Sequence, residues 1–589
     1  MHNTCLILIS PSEVSEALKY KSHINYESVI PLTPDAYSFA LKTKKFKKNK
    51  IINLSNLNFE DLQKRISTNL ILHDKTILTK ILDEDSISKA LRQNLTSELY
   101  CVLGCMEYLY SILEKYNNFI FLKRGFHKTK DLDFLVSSIL EKLINDNQGI
   151  FSLISFKKLS KKESLILSLS NILSKKILHN ARFFASSGQF YRIPLISQTI
   201  KKSKDLLEVQ INFQERRNFF QNLIEVFRNI YNFYSNRLLT FYYSATQENL
   251  LSKEHFLKIE KIFKDSGNTR AKGQLPIISE LIKNQVEFSL GCENFVEKIF
   301  EKDSPLFFIA HQIRWVMMPE LAQFLEDKKI PIHLISHGSH SHSYDDYSLN
   351  AQKFLANGLL FSDFSNYAYC QSPFSLEALD QITSKKEVRK IFPLMWGNNY
   401  SQEEVKKLRR KNSDVFKIIY AGTFKPYCLR PSIYETSFEL IKSLKILINA
   451  VDLLDGISLT IRMRDEDECS LDSLKSLLPS SESLVFDNSG SFEEQLIKHD
   501  CLISFSSTTL EEALSFSIPV GTFTCDSTYK HLQQTSSSGF IYNLTKENLK
   551  DQLVSMKSSI NSDPKLGPED KSRIFWNDGK AVNFYDFLT

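Results

Sequence analysis

Two α/β domains, the first interrupted by a long helical segment, are what this sequence predicts, on three observations. The chain has 589 residues, more than one hydrophobic core usually supports, so two or three domains are expected. From Ser304 onward, short apolar runs alternate with helical periods and polar turns, the pattern of a sheet covered by helices. Within that half, KHDCLISFSSTTLEEALSFSIPVGT (Lys498 to Thr522) places a buried strand, Cys501-Leu502-Ile503, before four hydroxyl residues and a helix that opens with Glu511 and Glu512.

Composition bounds the class. With 42% hydrophobic and 24% charged residues the chain is globular, not disordered. A net charge of +6 over 74 basic and 68 acidic residues does not single out nucleic acid as a partner. The nine cysteines include no CxxC pair, which points to buried free thiols and away from a metal site. The opening MHNTCLILISPSE lacks a basic segment followed by a long apolar core, and no run of about 18 apolar residues occurs. A cytoplasmic protein is therefore expected, peripheral to a membrane at most.

The elements follow in order. Cys5–Ile9, Ser28–Leu32 and Lys50–Leu54 are short apolar runs that start an α/β layer. From about residue 87 to 285, apolar residues recur at three- and four-residue steps, which predicts a mostly helical insertion. Inside it, residues 213–243 are crowded with aromatics, read either as helix packing in a core or as an acceptor or partner surface. The basic amphipathic stretch from Lys157 to Lys176 reads as a solvated helix face or as one apposed to an anionic membrane. Strands then return at PLFFIA (Pro305–Ala310), PIHLIS (Pro331–Ser336) and YAYCQ (Tyr367–Gln371), with a helix over Met317–Glu326. Residues 401–413, charged and without a strand, form the linker, so the first domain spans 1–400. The second spans 414–545, with strands KIIYA (Lys417–Ala421), LTIRM (Leu459–Met463), LVF (Leu484–Phe486), Asp500–Ile503 and PVGTF (Pro519–Phe523). Residues 546–589 are expected to return to the first domain, with Phe575-Trp576 and Phe584-Tyr585 as anchors.

Two places carry chemistry. At Ser506, Ser507, Thr508 and Thr509, free N–H groups and a helix dipole can seat a phosphate, with the hydroxyls as further donors. A plain Ser/Thr cap with Glu in the first turn reads the same residues without a ligand. Gly422-Thr423 with Lys425 forms a Gly turn beside a cation, and Arg462 and Arg464 end a strand, suited to phosphate or to the acids that follow. The other place is the loop after PIHLIS, where His337, His340, His342, Asp345 and Asp346 crowd a strand's carboxyl end. Open α/β sheets bind ligands at that edge, so His337, Asp345 or Asp346 is a candidate general base, while a solvated loop explains the same residues. Histidine spacings of three and two with no cysteine argue against a metal.

With YAGTF, TIRMR and FDNSGSFEEQLIKHDCLISFSSTTLEEALSFSIPVGTF in the second domain, and HLISHGSHSH and YAYCQSPFSLEAL in the first, the chain resembles the GT-B fold glycosyltransferases, bacterial enzymes of capsule and lipopolysaccharide O-chain synthesis above all. The resemblance covers about residues 304–545. It implies two Rossmann-like domains, of which the second binds a CMP- or UDP-linked sugar through Gly422, Thr423, Ser506 to Thr509, and Glu511 or Glu512, with Lys425, Arg462 and Arg464 on the phosphates. It implies no cofactor beyond that co-substrate, a glycan or lipid-linked acceptor, and inverting, metal-independent transfer. A His-Pro pair found in many CMP-sugar and glycerol-phosphate transferases is absent; Arg462-Met463-Arg464 stands at the comparable strand end. A nucleotide-sugar epimerase, an alditol-phosphate transferase and a non-catalytic scaffold are the alternatives.

Overall fold

A computed structural model describes residues 4–146, 161–187, 206–243, 253–336, 352–394, 415–422, 435–463, 469–526 and 539–561, short stretches inside these excepted, and a few single positions that include Trp576. Among the described residues, seventeen strands form three α/β units.

The C-terminal unit has strands β12 (Phe416–Gly422), β13 (Ile457–Met463), β14 (Leu484–Phe486), β15 (Cys501–Ser504), β16 (Val520–Phe523) and β17 (Ile541–Leu544). All pair in parallel, in the order β14-β13-β12-β15-β16-β17. Numbered within the unit this is 3-2-1-4-5-6, the doubly wound order whose direction reverses between β12 and β15. Ile418 and Tyr420 face one core with Leu444 and Leu447, and Ile419 and Ala421 face the other with Leu510 and Leu514. A strand buried on both sides must be apolar at every position, which is why KIIYA and CLI read as continuous runs.

The middle unit repeats the plan. Strands β5 (Arg182–Ser186), β6 (Leu206–Phe213), β7 (Leu238–Tyr243), β8 (Phe308–Ala310) and β9 (Ile332–Leu334) pair in parallel in the order β7-β6-β5-β8-β9, again reversing, between β5 and β8. A parallel bridge from Ile335 to Tyr369 continues the sheet into β10 (Tyr367–Cys370) and β11 (Glu387–Lys390).

The N-terminal unit is smaller, with β1 (Thr4–Leu8), β2 (Ser28–Pro31), β3 (Asn118–Leu122) and β4 (Phe126–Thr129) in the order β2-β1-β3-β4, β4 antiparallel. The 25-residue helix α1 (Lys89–Leu113) is buried along nearly its whole length, Cys101 and Cys105 included. It packs against both the first and the middle units, and its buried polar side chains, Asn94 and Glu107 among them, are hydrogen-bonded to neighbouring elements.

Residues 87–285 are mostly helical, as the pattern predicts, but they are not an insertion between strands of one sheet: β3 to β7 lie within them. Their strands RFFAS, LLEVQINF and LLTFYY are apolar runs flanked by long helices, and periodicity alone cannot separate such a run from a buried helical turn. The aromatics of 213–243 divide accordingly. Phe241, Tyr242 and Tyr243 are buried in β7, whereas Phe227, Tyr231 and Tyr234 are exposed on α3 (Phe219–Asn236), which packs with α2 (Lys161–Leu178).

The N-terminal unit holds the C-terminal one through polar contacts. Asp35 accepts from the backbone N–H and hydroxyl of Ser470 at 2.9 and 3.0 Å, and Gln63 donates to Glu439 at 3.2 Å. Of the tail, residues Leu549–Asn561 form a helix whose Leu549, Leu553 and Met556 complete the C-terminal core. Trp576 donates from its indole nitrogen to the carbonyl of Ile391 at 3.1 Å, in the middle unit; Phe575, Phe584 and Tyr585 lie outside the described residues.

Candidate functional site

In a doubly wound sheet, the helices that follow the two strands at the reversal leave on opposite faces, and a crevice opens above their carboxyl ends. Such a crevice is present above β12 and β15. A cavity of about 330 Å³ is bounded by Ala421 and Gly422 from β12, Arg462 and Met463 from β13, Asn488 and Phe492 beyond β14, and Ser507 and Thr509 beyond β15. Its volume is at the lower end of the roughly 300–1,000 Å³ typical of small-molecule sites. Gly422 forms the floor: a Cβ there would meet Met463 Sδ and a Tyr420 ring carbon, each at 3.1 Å. The helix α4 that begins at Thr509 is short (Thr509–Ser515), and its cap position, Thr508, makes no side-chain cap hydrogen bond. Instead Ser507 Oγ accepts from Thr509 N–H at 3.3 Å. Thr509 Oγ1 is buried and has no hydrogen-bond partner among the described residues.

Two polar side chains of the wall serve the frame. Arg462 donates to the carbonyls of Ser489 and Gly490 at 2.8 and 2.9 Å, so two of its donors fix the loop beyond β14. The Asn488 amide pairs with Met463 through both backbone groups, accepting its N–H at 3.1 Å and donating to its carbonyl, and so prolongs the β13–β14 ladder into the cavity wall. Asn488, Met463 and Phe492 were not legible as site residues. Met463 ends β13, Phe492 opens the helix Phe492–Ile497, and Asn488 starts the NSGS run between β14 and that helix; nothing in the pattern indicates which side chain turns inward.

The adjacent glutamates diverge, because consecutive helical residues point about 100° apart. Glu511 is buried and accepts a hydrogen bond from Ser372 Oγ at 2.5 Å, so its carboxylate binds the middle unit and does not line the cavity. Of the two glutamates expected as alternatives at the donor, Glu511 or Glu512, Glu511 is thus engaged with Ser372. Burial and the charge of Glu493 push the Glu512 carboxyl up to about 7; it too is absent from the cavity wall.

The Ser372–Glu511 contact also orients the units. Ser372 follows the carboxyl end of β10, and Glu511 follows that of β15, so the carboxyl edges of the two sheets meet. Gln371, next to Ser372, donates to the carbonyl of Ser336, the residue from which the histidine loop departs. At the middle sheet's own reversal, Ser187 beyond β5 holds His311 beyond β8: Ser187 Oγ is 2.9 Å from His311 Nδ1 and accepts His311 N–H at 3.1 Å. The sequence points to His337 and misses His311, which lies in no recognisable motif.

His337, His340, His342, Asp345, Asp346, Thr423, Lys425, Arg464 and Ser506 lie outside the described residues. Among the described residues there is no cluster of three or more His, Cys, Asp or Glu fit to hold a metal, and no helix long and apolar enough to cross a membrane.

No family model matches the chain, and no curated protein matches it. Solved structures similar to it include the UDP-GlcNAc 2-epimerase of Neisseria meningitidis bound to UDP-GlcNAc, at 10% identity over 69% of this chain and 97% of that one, with a TM-score of 0.36. The UDP-GlcNAc 2-epimerase of Methanocaldococcus jannaschii, in complex with UDP-GlcNAc and UDP, is 13% identical over 64% and 92%, TM-score 0.37. A UDP-glucosyltransferase from Polygonum tinctorium is 9% identical over 67% and 92%, TM-score 0.35. At such values the strand order, and not the likeness, gives the fold. Two doubly wound sheets that meet at their carboxyl edges make this a two-domain, Rossmann-like chain of GT-B architecture, extended by a third α/β unit at its N-terminal end.

Proposed function

We propose that the chain is a glycosyltransferase that takes a sugar from a nucleotide-sugar donor, UDP- or CMP-linked, and transfers it to a glycan or lipid-linked acceptor in bacterial surface polysaccharide synthesis. The observation that carries this reading is the cavity at the β12–β15 reversal, whose rim helix touches the carboxyl edge of a second doubly wound sheet. Phosphate would lie against the Gly422 backbone and the Ser506 to Thr509 turn, with Thr423, Lys425, Arg464 and the free edge of Arg462 beside it. Phe492 offers a ring for the base, and Glu512 a carboxyl close to the same helix start. The middle unit would supply the general base, from His337, Asp345 or Asp346 on the loop beyond Ser336, or from His311. That base takes the acceptor hydroxyl's proton as the sugar carbon–oxygen bond to phosphate breaks, and donors around the cavity stabilise the departing phosphate. Nothing in this scheme requires a metal.

The test is a two-stage assay on the full chain. Thermal unfolding with UDP, CMP, GDP and their sugars identifies the nucleotide, since a ligand at 100 times its Kd stabilises by about 2.7 kcal/mol. Donor turnover is then followed with and without acceptor glycans. Nucleotide release that needs an acceptor supports transfer. A changed sugar without acceptor makes the chain an epimerase, and no shift with any nucleotide leaves a scaffold. His311→Ala and Asp345→Ala are the discriminating variants: loss of a positioned base costs roughly 10²–10⁴-fold in turnover.

A further inference from the structure

The edge of the middle sheet farthest from the candidate cleft carries a surface that a solvated protein does not ordinarily present. Among the described residues β7 is an edge strand, with backbone groups that face no neighbouring strand. Two asparagines satisfy them. The Asn171 amide donates to the carbonyl of Tyr242 at 2.8 Å and accepts its N–H at 2.9 Å, and Asn229 does the same for Thr240, both at 2.9 Å. Asn171 is on α2 and Asn229 on α3, so these two helices are pinned side by side along the sheet edge.

Pinning Asn229 inward fixes which face of α3 looks outward, and that face is apolar. Ile224, Phe227, Tyr231 and Tyr234, at helical steps of three, four and three, are exposed by 56, 63, 68 and 79%. On α2, Ile172, Leu173 and Ile177 are exposed as well. Surface helices normally place polar residues there, and an apolar patch of this kind marks an interaction site. In sequence the two helices carry Lys161, Lys162, Lys175, Lys176 and Arg228 against Glu163 and Glu225, a basic excess.

We infer that the paired outer faces of α2 and α3 dock the protein on an anionic lipid bilayer, with Phe227, Tyr231 and Tyr234 in the interfacial layer and Lys176 and Arg228 against acidic headgroups. Tyrosine, with an apolar ring and a polar tip, suits that layer, and an amphipathic helix with basic flanks binds in its plane. A second copy fits less well: a two-fold contact sets a patch against itself and would face Lys176 and Arg228 with their own like charges. Because β7 and β9 are opposite edges of the five-stranded sheet, docking through β7 leaves the Ser372–Glu511 side free. The inference does not depend on the proposed transfer activity.

Sedimentation of the full chain with vesicles tests it, using phosphatidylcholine alone and phosphatidylcholine mixed with phosphatidylglycerol. Binding is expected on the mixed vesicles and to fall with added salt. Lys176→Glu and Arg228→Glu should each weaken it at least about fivefold, the share of one basic side chain near an anionic surface. Phe227→Ser and Tyr234→Ser should each weaken it about tenfold, as partial withdrawal of a large apolar side chain from lipid does. All four positions are exposed, and an unchanged melting temperature and nucleotide-induced shift establish that the variants are folded and separate this result from the donor reading. Failure of the wild-type chain to sediment with the mixed vesicles overturns the inference, as does equal sedimentation of all variants. Concentration-dependent dimerisation lost in Phe227→Ser, without vesicle binding, assigns the face to a second copy and equally overturns it.

Discussion

Replacement of Thr509 by valine separates the chemistry of the cavity from the stability of the fold. Thr509 lines the cavity, and its hydroxyl is buried without a partner among the described residues. An unsatisfied buried hydroxyl costs about 1–3 kcal/mol, and Thr509→Val exchanges it for a methyl group of similar size. The ligand-free variant is therefore expected to be as stable as the wild type or more so, with its melting temperature raised by about 2–4 °C per kcal/mol gained. In the nucleotide complex the sign reverses. A hydrogen bond to a charged phosphate is worth about 1.5–3 kcal/mol, so the Kd should rise about 10- to 150-fold. Calorimetric titration with the nucleotide that stabilises the wild type, paired with thermal unfolding of the free protein, reads both numbers. An unchanged Kd would mean that the hydroxyl meets no ligand and that the phosphate is not seated at this turn. Destabilisation with normal affinity would mean that Thr509 serves packing alone.

Three further outcomes follow from the frame. Burial pushes the carboxyls of Glu98, Glu320 and Glu439 up to about 8 from an ordinary 4.5. Between those values the native state holds protons that the unfolded chain has lost, so their contribution is complete below about pH 4.5 and fades as pH rises to about 8, by up to about 1.4 kcal/mol per pH unit for each group. Melting temperature should fall across that window, and the slope should be shallower in Glu98→Gln; a flat profile contradicts the burial argument. Asn229→Leu strips the partner from the Thr240 N–H and leaves its carbonyl only the Ser174 hydroxyl at 3.4 Å, and should cost about 1–3 kcal/mol, with aggregation on heating visible by light scattering; wild-type melting and clarity would show that the edge needs no such cover. Ser372→Ala leaves Glu511 buried without its donor across the two units, a loss of about 1.5–3 kcal/mol, and a melting temperature equal to that of the wild type would remove the contact as a structural hinge point.

Legibility differed along the chain for physical reasons. KIIYA and CLIS are apolar runs covered on both faces and cut by polar turns of Gly, Ser and Thr, and LTIRM alternates buried apolar with half-exposed polar residues, so all three were readable as strands. RFFAS and LLTFYY are equally apolar, but long amphipathic helices flank them, so the middle sheet merged with its helices in the sequence pattern. Within the cavity, Gly422, Arg462, Ser507 and Thr509 were anticipated because turns at strand ends carry small and donor residues. Asn488 and Phe492 were not, since their inward direction depends on how the loop beyond β14 folds against Met463.

By itself the sequence determined the alternation of strand and helix in the C-terminal half, the hydroxyl-rich turn after CLIS, and the crowding of aromatics over residues 213–243, because these depend on local propensity and on the period of burial. Tertiary structure alone decided that residues 161–336 build a second doubly wound sheet, that Glu511 reaches Ser372 and not the cavity, and that Asn229 turns a face of tyrosines outward. Those outcomes are pairings between segments tens to hundreds of residues apart. A side chain's local pattern states only that it will find a partner, and the choice among distant partners is made by which strands become neighbours.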